Sequence, residues 1–235
     1  MNASAPVTLE FDTGALLAKA LAGKIAGNLR MAVAERGHAT LAVSGGRTPV
    51  ALFEALSQLV LPWGKVAVIL CDERWVPEDD ARSNTALVRR HLLQGPAAQA
   101  QFVALTTHAA TPEAGLGTVR ARVALLALPL DVVVLGMGGD GHTASWFPHG
   151  DHLRQALDLA DAERVVAMHA PGATEARITL TAGVLATASH IYLHIEGNSK
   201  RGVLCGAMEG GPDAEMPIRA VLRRAQRNLK VYWSP

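Results

Sequence analysis

The chain has 235 residues, 49% of them apolar, and 22 basic against 21 acidic side chains leave a formal net charge of +1. A near-neutral chain offers no global field to draw it to nucleic acid or an anionic membrane, and two distant cysteines, Cys71 and Cys205, exclude a disulfide framework. No stretch is long and apolar enough to span a bilayer and the first residues lack the basic-then-apolar order of an export signal, so a cytoplasmic protein of one domain, 1–235, is expected.

Asp12 and Thr13 can cap a first helix, with Leu16, Leu17, Leu21, Ile25, Leu29 and Val33 at helical spacing and Gly37 at its end. Thr40 to Val43 reads as a buried strand that stops at Ser44-Gly45-Gly46, and Thr48-Pro49 opens a second helix. Lys65 to Leu70 is a strand running into Cys71-Asp72-Glu73-Arg74. Asn84 starts a helix carrying Leu87, Val88 and Leu92, and a short strand spans Phe102 to Leu105. Thr111-Pro112 begins a helix with Val119, Val123 and Leu126, and the apolar strand Asp131 to Leu135 ends in a glycine-rich turn. Strands at Val165 to Met168, His190 to Ile195 and Leu229 to Trp233 alternate with helices at Leu180 to Ala188 and Asn198 to Met208. Short strands without polar alternation, separated by helices, point to a Rossmann-like α/β fold: a mostly parallel sheet with helices on both faces. Ligands bind such sheets beyond the carboxyl ends of the strands, and Ser44, Asp72, His142 and Gly197 all follow strands there.

Five segments carry candidate chemistry. Ser44-Gly45-Gly46-Arg47-Thr48 joins a strand to a helix N-terminus, where free N–H groups and the dipole favour an anion and Arg47 adds a guanidinium fork. A plain tight turn reads equally well, and no Gly-Lys-Ser/Thr follows to make a Walker loop. Asp72 and Arg74 end an apolar strand and are candidates for the cleft, whereas Glu73 is expected in a solvated loop with a local ion pair. Gly136-Met137-Gly138-Gly139-Asp140-Gly141-His142 contains GxGxxG, but the next strand ends in His169-Ala170 and not in the acidic residue a dinucleotide site needs. Asp140-Gly141-His142 suits a proton-transfer site instead, because imidazole titrates near neutrality and an adjacent aspartate can fix its tautomer or anchor hydroxyls. His149 and His152 fit no zinc spacing. Arg177 could reach an anion or begin a helix at the surface. Lys200 stands in the first turn after Gly197, where a cation opposes the dipole unless it meets a bound anion.

The SGGRTP turn, the DERWVP segment, Ser83-Asn84, the LGMGGDGHTASWFP stretch, RITLT and the GNSK turn, in this order over positions 44 to 200, together resemble the 6-phosphogluconolactonase family. That family is similar in fold to the glucosamine-6-phosphate deaminases. The deaminases place a glutamate five residues after the glycine-rich histidine, where this chain has Phe147. The resemblance implies hydrolysis of 6-phospho-D-glucono-1,5-lactone without metal or organic cofactor; with the near-neutral charge, no nucleic acid, membrane or obligate protein partner is expected. It leaves an amino-sugar-phosphate deaminase or isomerase as the alternative and a non-enzymatic sugar-phosphate sensor last. His142, Asp140, Arg74 and Asp72 are then expected at the reacting end. Ser44, Gly45, Gly46, Arg47, Thr48, Gly138, Arg177 and Lys200 are expected to hold the phosphate and sugar. Gly138 to Gly141 also offers backbone N–H groups for an oxyanion. Ser44 and Ser145 lack a GxSxG elbow, so direct attack by water is preferred.

Overall fold

The computed structural model describes residues 6–225 and 227–235; the first five residues of the segment read above for an export signal lie outside them. In chain order the elements are β1 (Val7–Glu10), α1 (Gly14–Arg36), β2 (Ala39–Val43), α2 (Val50–Ser57), β3 (Val66–Leu70), β4 (Asp72–Arg74), α3 (Asn84–His91), β5 (Gln101–Val103) and α4 (Pro112–Ala124). They continue with β6 (Val132–Leu135), α5 (Leu153–Leu157), β7 (Val165–Met168), β8 (Arg177–Leu180), α6 (Ala182–Leu185), β9 (His190–Glu196), α7 (Asn198–Met208), α8 (Ile218–Arg224) and β10 (Leu229–Ser234).

The first helix begins and ends for local reasons. Thr13 is extended and its hydroxyl accepts from the amide of Leu16, while Gly37 takes the left-handed conformation at φ 78° and returns its N–H to Val33. Its inward stripe is Leu17, Leu21, Ile25 and Leu29. Leu16, expected on that stripe, points outward, because Leu17 and not Leu16 continues the spacing of Leu21 and Ile25.

Seven strands form one parallel sheet in the order β1-β10-β9-β6-β2-β3-β5, flanked by helices. β2, β6 and the C-terminal part of β3 are buried throughout, as a parallel sheet covered on both faces requires. Among the described residues no helix is long and apolar enough to cross a membrane.

A second, antiparallel sheet, β4-β8-β7, is the main departure from the sequence reading. Val165–Met168 is a strand as expected but belongs here. Arg177, expected to stand before a helix, lies in β8, and the helix expected from Leu180 is only Ala182–Leu185. Isoleucine and threonine at 178 and 179 favour the extended chain. Asp72–Arg74 is a strand and not a loop, directly opposite Thr179 to Arg177. β1, α5 and α8 were not anticipated either: each is short, and none carries a clear apolar period.

Glu73 is the sharpest correction. It is fully buried, not solvated. One carboxylate oxygen accepts from the amides of Arg74 (2.8 Å) and Asn84 (2.7 Å), and the other from the Thr85 amide (2.6 Å) and the Ser83 hydroxyl (3.1 Å). Burial pushes this carboxyl above its ordinary range, and the hydrogen bonds from the Asn84, Thr85 and Arg74 amides oppose that. The side chain pins β4 to the start of α3. Glu73→Gln must turn an amide NH2 toward backbone N–H donors on one side or the other. We expect urea unfolding to register a loss of about 2–4 kcal/mol. A change within about 0.5 kcal/mol would mean the carboxylate does not hold this junction.

Candidate active site

A cleft of about 340 Å³ opens beyond the carboxyl ends of β2, β6 and β9, with β4 and β8 forming its opposite wall. Size and position match the usual ligand site of a parallel α/β sheet.

The floor is the turn after β2. Ser44 is buried, and its hydroxyl accepts from the Gly136 amide at 3.3 Å, tying this turn to the one after β6. Gly45 has no room for a side chain: a Cβ there would lie 2.0 Å from Oδ1 of Asn84. Gly46 is left-handed at φ 93°. Ser44, Gly45, Gly46 and Thr48 line the cleft. Arg47 does not. It is exposed and outside the lining, so of the five turn residues it alone is not brought to the site.

The β4–β8 wall is cationic. Arg74 and Arg177 face each other across the two strands. Arg74 spends Nη1 on neutral oxygens, Arg82 O (2.6 Å) and Asn84 Oδ1 (2.9 Å). Arg177 has Glu175 at 3.8 Å, a buried Nε without a partner, and its guanidinium over the Phe147 ring at 5.5 Å. Burial lowers the Arg177 pKa; Arg74 pushes the same way and Asp72 opposes. Two like charges on adjacent strands are unfavourable unless an anion lies between or beside them. Asp72 is buried and accepts from the Ser145 hydroxyl at 2.6 Å. Ser145 has no exposed surface and is spent on that bond, which removes it as a nucleophile.

His142 is carried by the turn after β6. Its Nδ1 lies 2.6 Å from Asp140 Oδ1, which also accepts from the His142 amide at 3.1 Å. A carboxylate on Nδ1 assigns the proton to that nitrogen and leaves the Nε2 lone pair free. Burial raises the Asp140 carboxyl, but the amide, charge and ring of His142 outweigh it and hold the group below its ordinary value. Asp140 is exposed and outside the cleft lining, and its contact in this structure is with the His142 ring and amide. Phe147 packs against the imidazole with centroids 4.6 Å apart.

Two glycines of this turn expected to offer N–H groups do not. Gly138 donates to His142 O (2.8 Å) and Gly141 to Gly138 O (3.2 Å). Gly138 instead supplies space, since a Cβ there would fall 2.1 Å from His142 Nδ1. Behind the turn, Ile218 donates to Gly141 O at 2.9 Å and Met216 packs on Gly141. Lys200, in the first turn of α7, lines the far side of the cleft with His194 and Glu196. Among the described residues no ion pair involves Arg74 or Lys200, and no three His, Cys, Asp or Glu side chains cluster as a metal site.

Asn84, Phe147, His194 and Glu196 also line the cleft, beyond the residues expected from sequence. Asn84 was hidden by its place at a helix start and Phe147 by reading it only as a family mark. His194 and Glu196 carried a signal that could have been used, alternate positions on one strand immediately before the Gly197 turn.

A parallel α/β sheet that sets a braced imidazole against a basic, glycine-floored cleft belongs to an enzyme acting on an anionic metabolite by proton transfer. The model of the family described as glucosamine-6-phosphate isomerases/6-phosphogluconolactonase matches residues 12–233. The chain is 51% identical over 225 residues to a 6-phosphogluconolactonase of Rhizobium meliloti, covering 96% of this chain and 97% of that one. It is 49% identical over 219 residues to a 6-phosphogluconolactonase of Mesorhizobium japonicum, covering 93% and 91%. The crystal structure of a 6-phosphogluconolactonase from Shewanella baltica superposes with a TM-score of 0.96 at 42% identity, covering 100% of both chains. The chain belongs to the glucosamine-6-phosphate isomerase/6-phosphogluconolactonase family.

Proposed function

We propose that this chain hydrolyses 6-phospho-D-glucono-1,5-lactone to 6-phospho-D-gluconate, the lactone step of the oxidative pentose phosphate route, as a single cytoplasmic domain over residues 1–235. The observation that carries the mechanism is the 2.6 Å contact of Asp140 with His142 Nδ1, because it presents a basic Nε2 beside the cleft. The lactonase names of the relatives favour this reading over amino-sugar deamination. So does Phe147, which packs against His142 at the sequence position where the deaminases place a glutamate.

The phosphate lies on the Ser44–Thr48 turn, where backbone N–H groups and Lys200 meet it, and that remote binding orients the ring. Arg177 shares Phe147 with His142, so we place it and Arg74 beside the carbonyl. His142 Nε2 takes a proton from water as the water oxygen bonds to C1. Charge on the carbonyl oxygen is stabilised by the cationic wall. As the tetrahedral intermediate collapses, the C1–O5 bond breaks and the imidazolium returns its proton to O5, leaving a carboxylic acid that ionises. Asp140 holds the ring throughout, and Asp72 keeps its Ser145 partner while its second oxygen faces the sugar.

Base uptake in a pH-stat with freshly prepared lactone, corrected for spontaneous hydrolysis, tests the activity. No acceleration over background, or ammonia release from glucosamine 6-phosphate, would refute it. Lys200→Ala is expected to raise KM about tenfold and to leave kcat within about threefold, because it removes binding common to ground and transition states. An unaltered KM would move the phosphate elsewhere.

A further inference from the structure

One pair in the cleft has no part in the steps above. His194 and Glu196 lie on the same face of β9, two residues apart, and both line the cleft. His194 is 3% exposed, and its Nε2 lies 3.0 Å from Glu196 Oε1, while its buried Nδ1 has no partner. The carboxylate is held from a second direction as well. It packs over Gly14, the first residue of α1, so closely that a Cβ there would come within 2.9–3.1 Å of all three of its terminal atoms. The helix N-terminus favours a negative group at that point. Among the described residues the one side-chain hydrogen bond to it comes from His194.

A carboxylate in a cleft built for a phosphate works against the ligand's charge, so the position needs a compensating contact. A carboxylate offers about four acceptor sites, and the imidazole uses one of them. Burial, opposed by the carboxylate itself, pulls the His194 pKa below the ordinary histidine range, and the 3.0 Å contact makes Nε2 the nitrogen that donates to the carboxylate. The remaining sites face a cleft whose ligand, on the lactonase reading, carries three ring hydroxyls and no other donors.

We propose that Glu196 is a specificity-determining residue that accepts hydrogen bonds from ring hydroxyls of the sugar, and that His194 is the positioning residue that fixes its carboxylate. The inference rests on the proposed lactonase activity. Selectivity arises because a polyhydroxylated ring satisfies the carboxylate, whereas a ring lacking the contacting hydroxyl leaves a desolvated anion without a partner.

The test removes the hydroxyl from the substrate and the carboxylate from the enzyme in turn. The 2-deoxy, 3-deoxy and 4-deoxy 6-phosphogluconolactones and the parent lactone are assayed with wild type and Glu196→Ala. With wild type, at least one deoxy compound should lose about tenfold or more in kcat/KM, and with Glu196→Ala that same loss should shrink to below about threefold. Gly14→Ala, which keeps the carboxylate but crowds it from its seat, should blunt the same discrimination. His194→Gln, whose amide can donate in place of Nε2, should retain it, and His194→Leu should not. A merely structural role would lower melting temperature without changing the ranking of the four lactones. Equal losses in wild type and Glu196→Ala for all three deoxy compounds, with the parent still turned over, would overturn the role of Glu196 alone. Failure of wild type to hydrolyse the parent would overturn the lactonase reading and this inference with it.

Discussion

His142→Ala should lower kcat about 10³-fold while KM stays within about threefold, the span ordinarily contributed by a well-placed general base. The ring meets neither the Ser44–Thr48 turn nor Lys200 in the contacts described, so anchoring of the phosphate survives its loss. What remains is remote binding and the cationic wall formed by Arg74 and Arg177. The lactone also opens unaided in water, so the rate must be read as acceleration over a parallel blank. Asp140→Asn should show an intermediate loss, because an amide can still accept from Nδ1 but carries no charge to stabilise the imidazolium. If His142→Ala retains more than about a tenth of wild-type kcat, another group takes the proton and the mechanism is wrong.

The second large effect comes from a residue that donates nothing to the ligand. Gly138→Ala places a methyl where His142 Nδ1 and Cε1 now sit, 2.1 and 2.2 Å away, and 2.6 Å from Asp140 Oδ1. Neither neighbour is the loose end of a flexible chain. The imidazole is held by Asp140 and by Phe147, and the turn is held by Ile218 from behind. The ring must therefore leave its present place. A displacement of about 1 Å at a proton-transfer group costs about 10² in rate, and we expect kcat to fall by that factor or more. The far-ultraviolet spectrum should be unchanged and the melting point only slightly lowered, since the turn stands at the cleft and not in the core. Near wild-type kcat in this variant would show that the turn flexes enough to accept a side chain.

Much of this was readable in the chain, for stated reasons. β2 and β6 announce themselves because strands covered on both faces are apolar without alternation, and the turns that follow them concentrate glycine and charge. The Asp140-Gly141-His142 triplet was legible because two hydrogen-bonding partners two residues apart need no tertiary knowledge. The small sheet was not. The pairing of β4 with β8 joins Asp72–Arg74 to Arg177–Thr179, more than a hundred residues apart, and a three-residue charged strand carries no periodicity. Glu73 was misjudged because its burial rests on four donors whose convergence only the folded chain reveals. Arg47 is exposed and lies outside the cleft lining. A fork next to two glycines suits an anion on chemical grounds, yet which residues of a turn line a cleft depends on a backbone bend that residue types do not encode.

The order β1-β10-β9 places the last strand of the sheet between the first strand and the rest. As the polypeptide leaves the ribosome, β1 therefore waits with both edges unsatisfied until β10 emerges some two hundred residues later. The segment that backs Gly141 is made almost as late. Completion of the sheet and seating of the imidazole thus belong to the same late stage of synthesis, and nascent chains halted before it should be both prone to stick together and unable to turn over substrate.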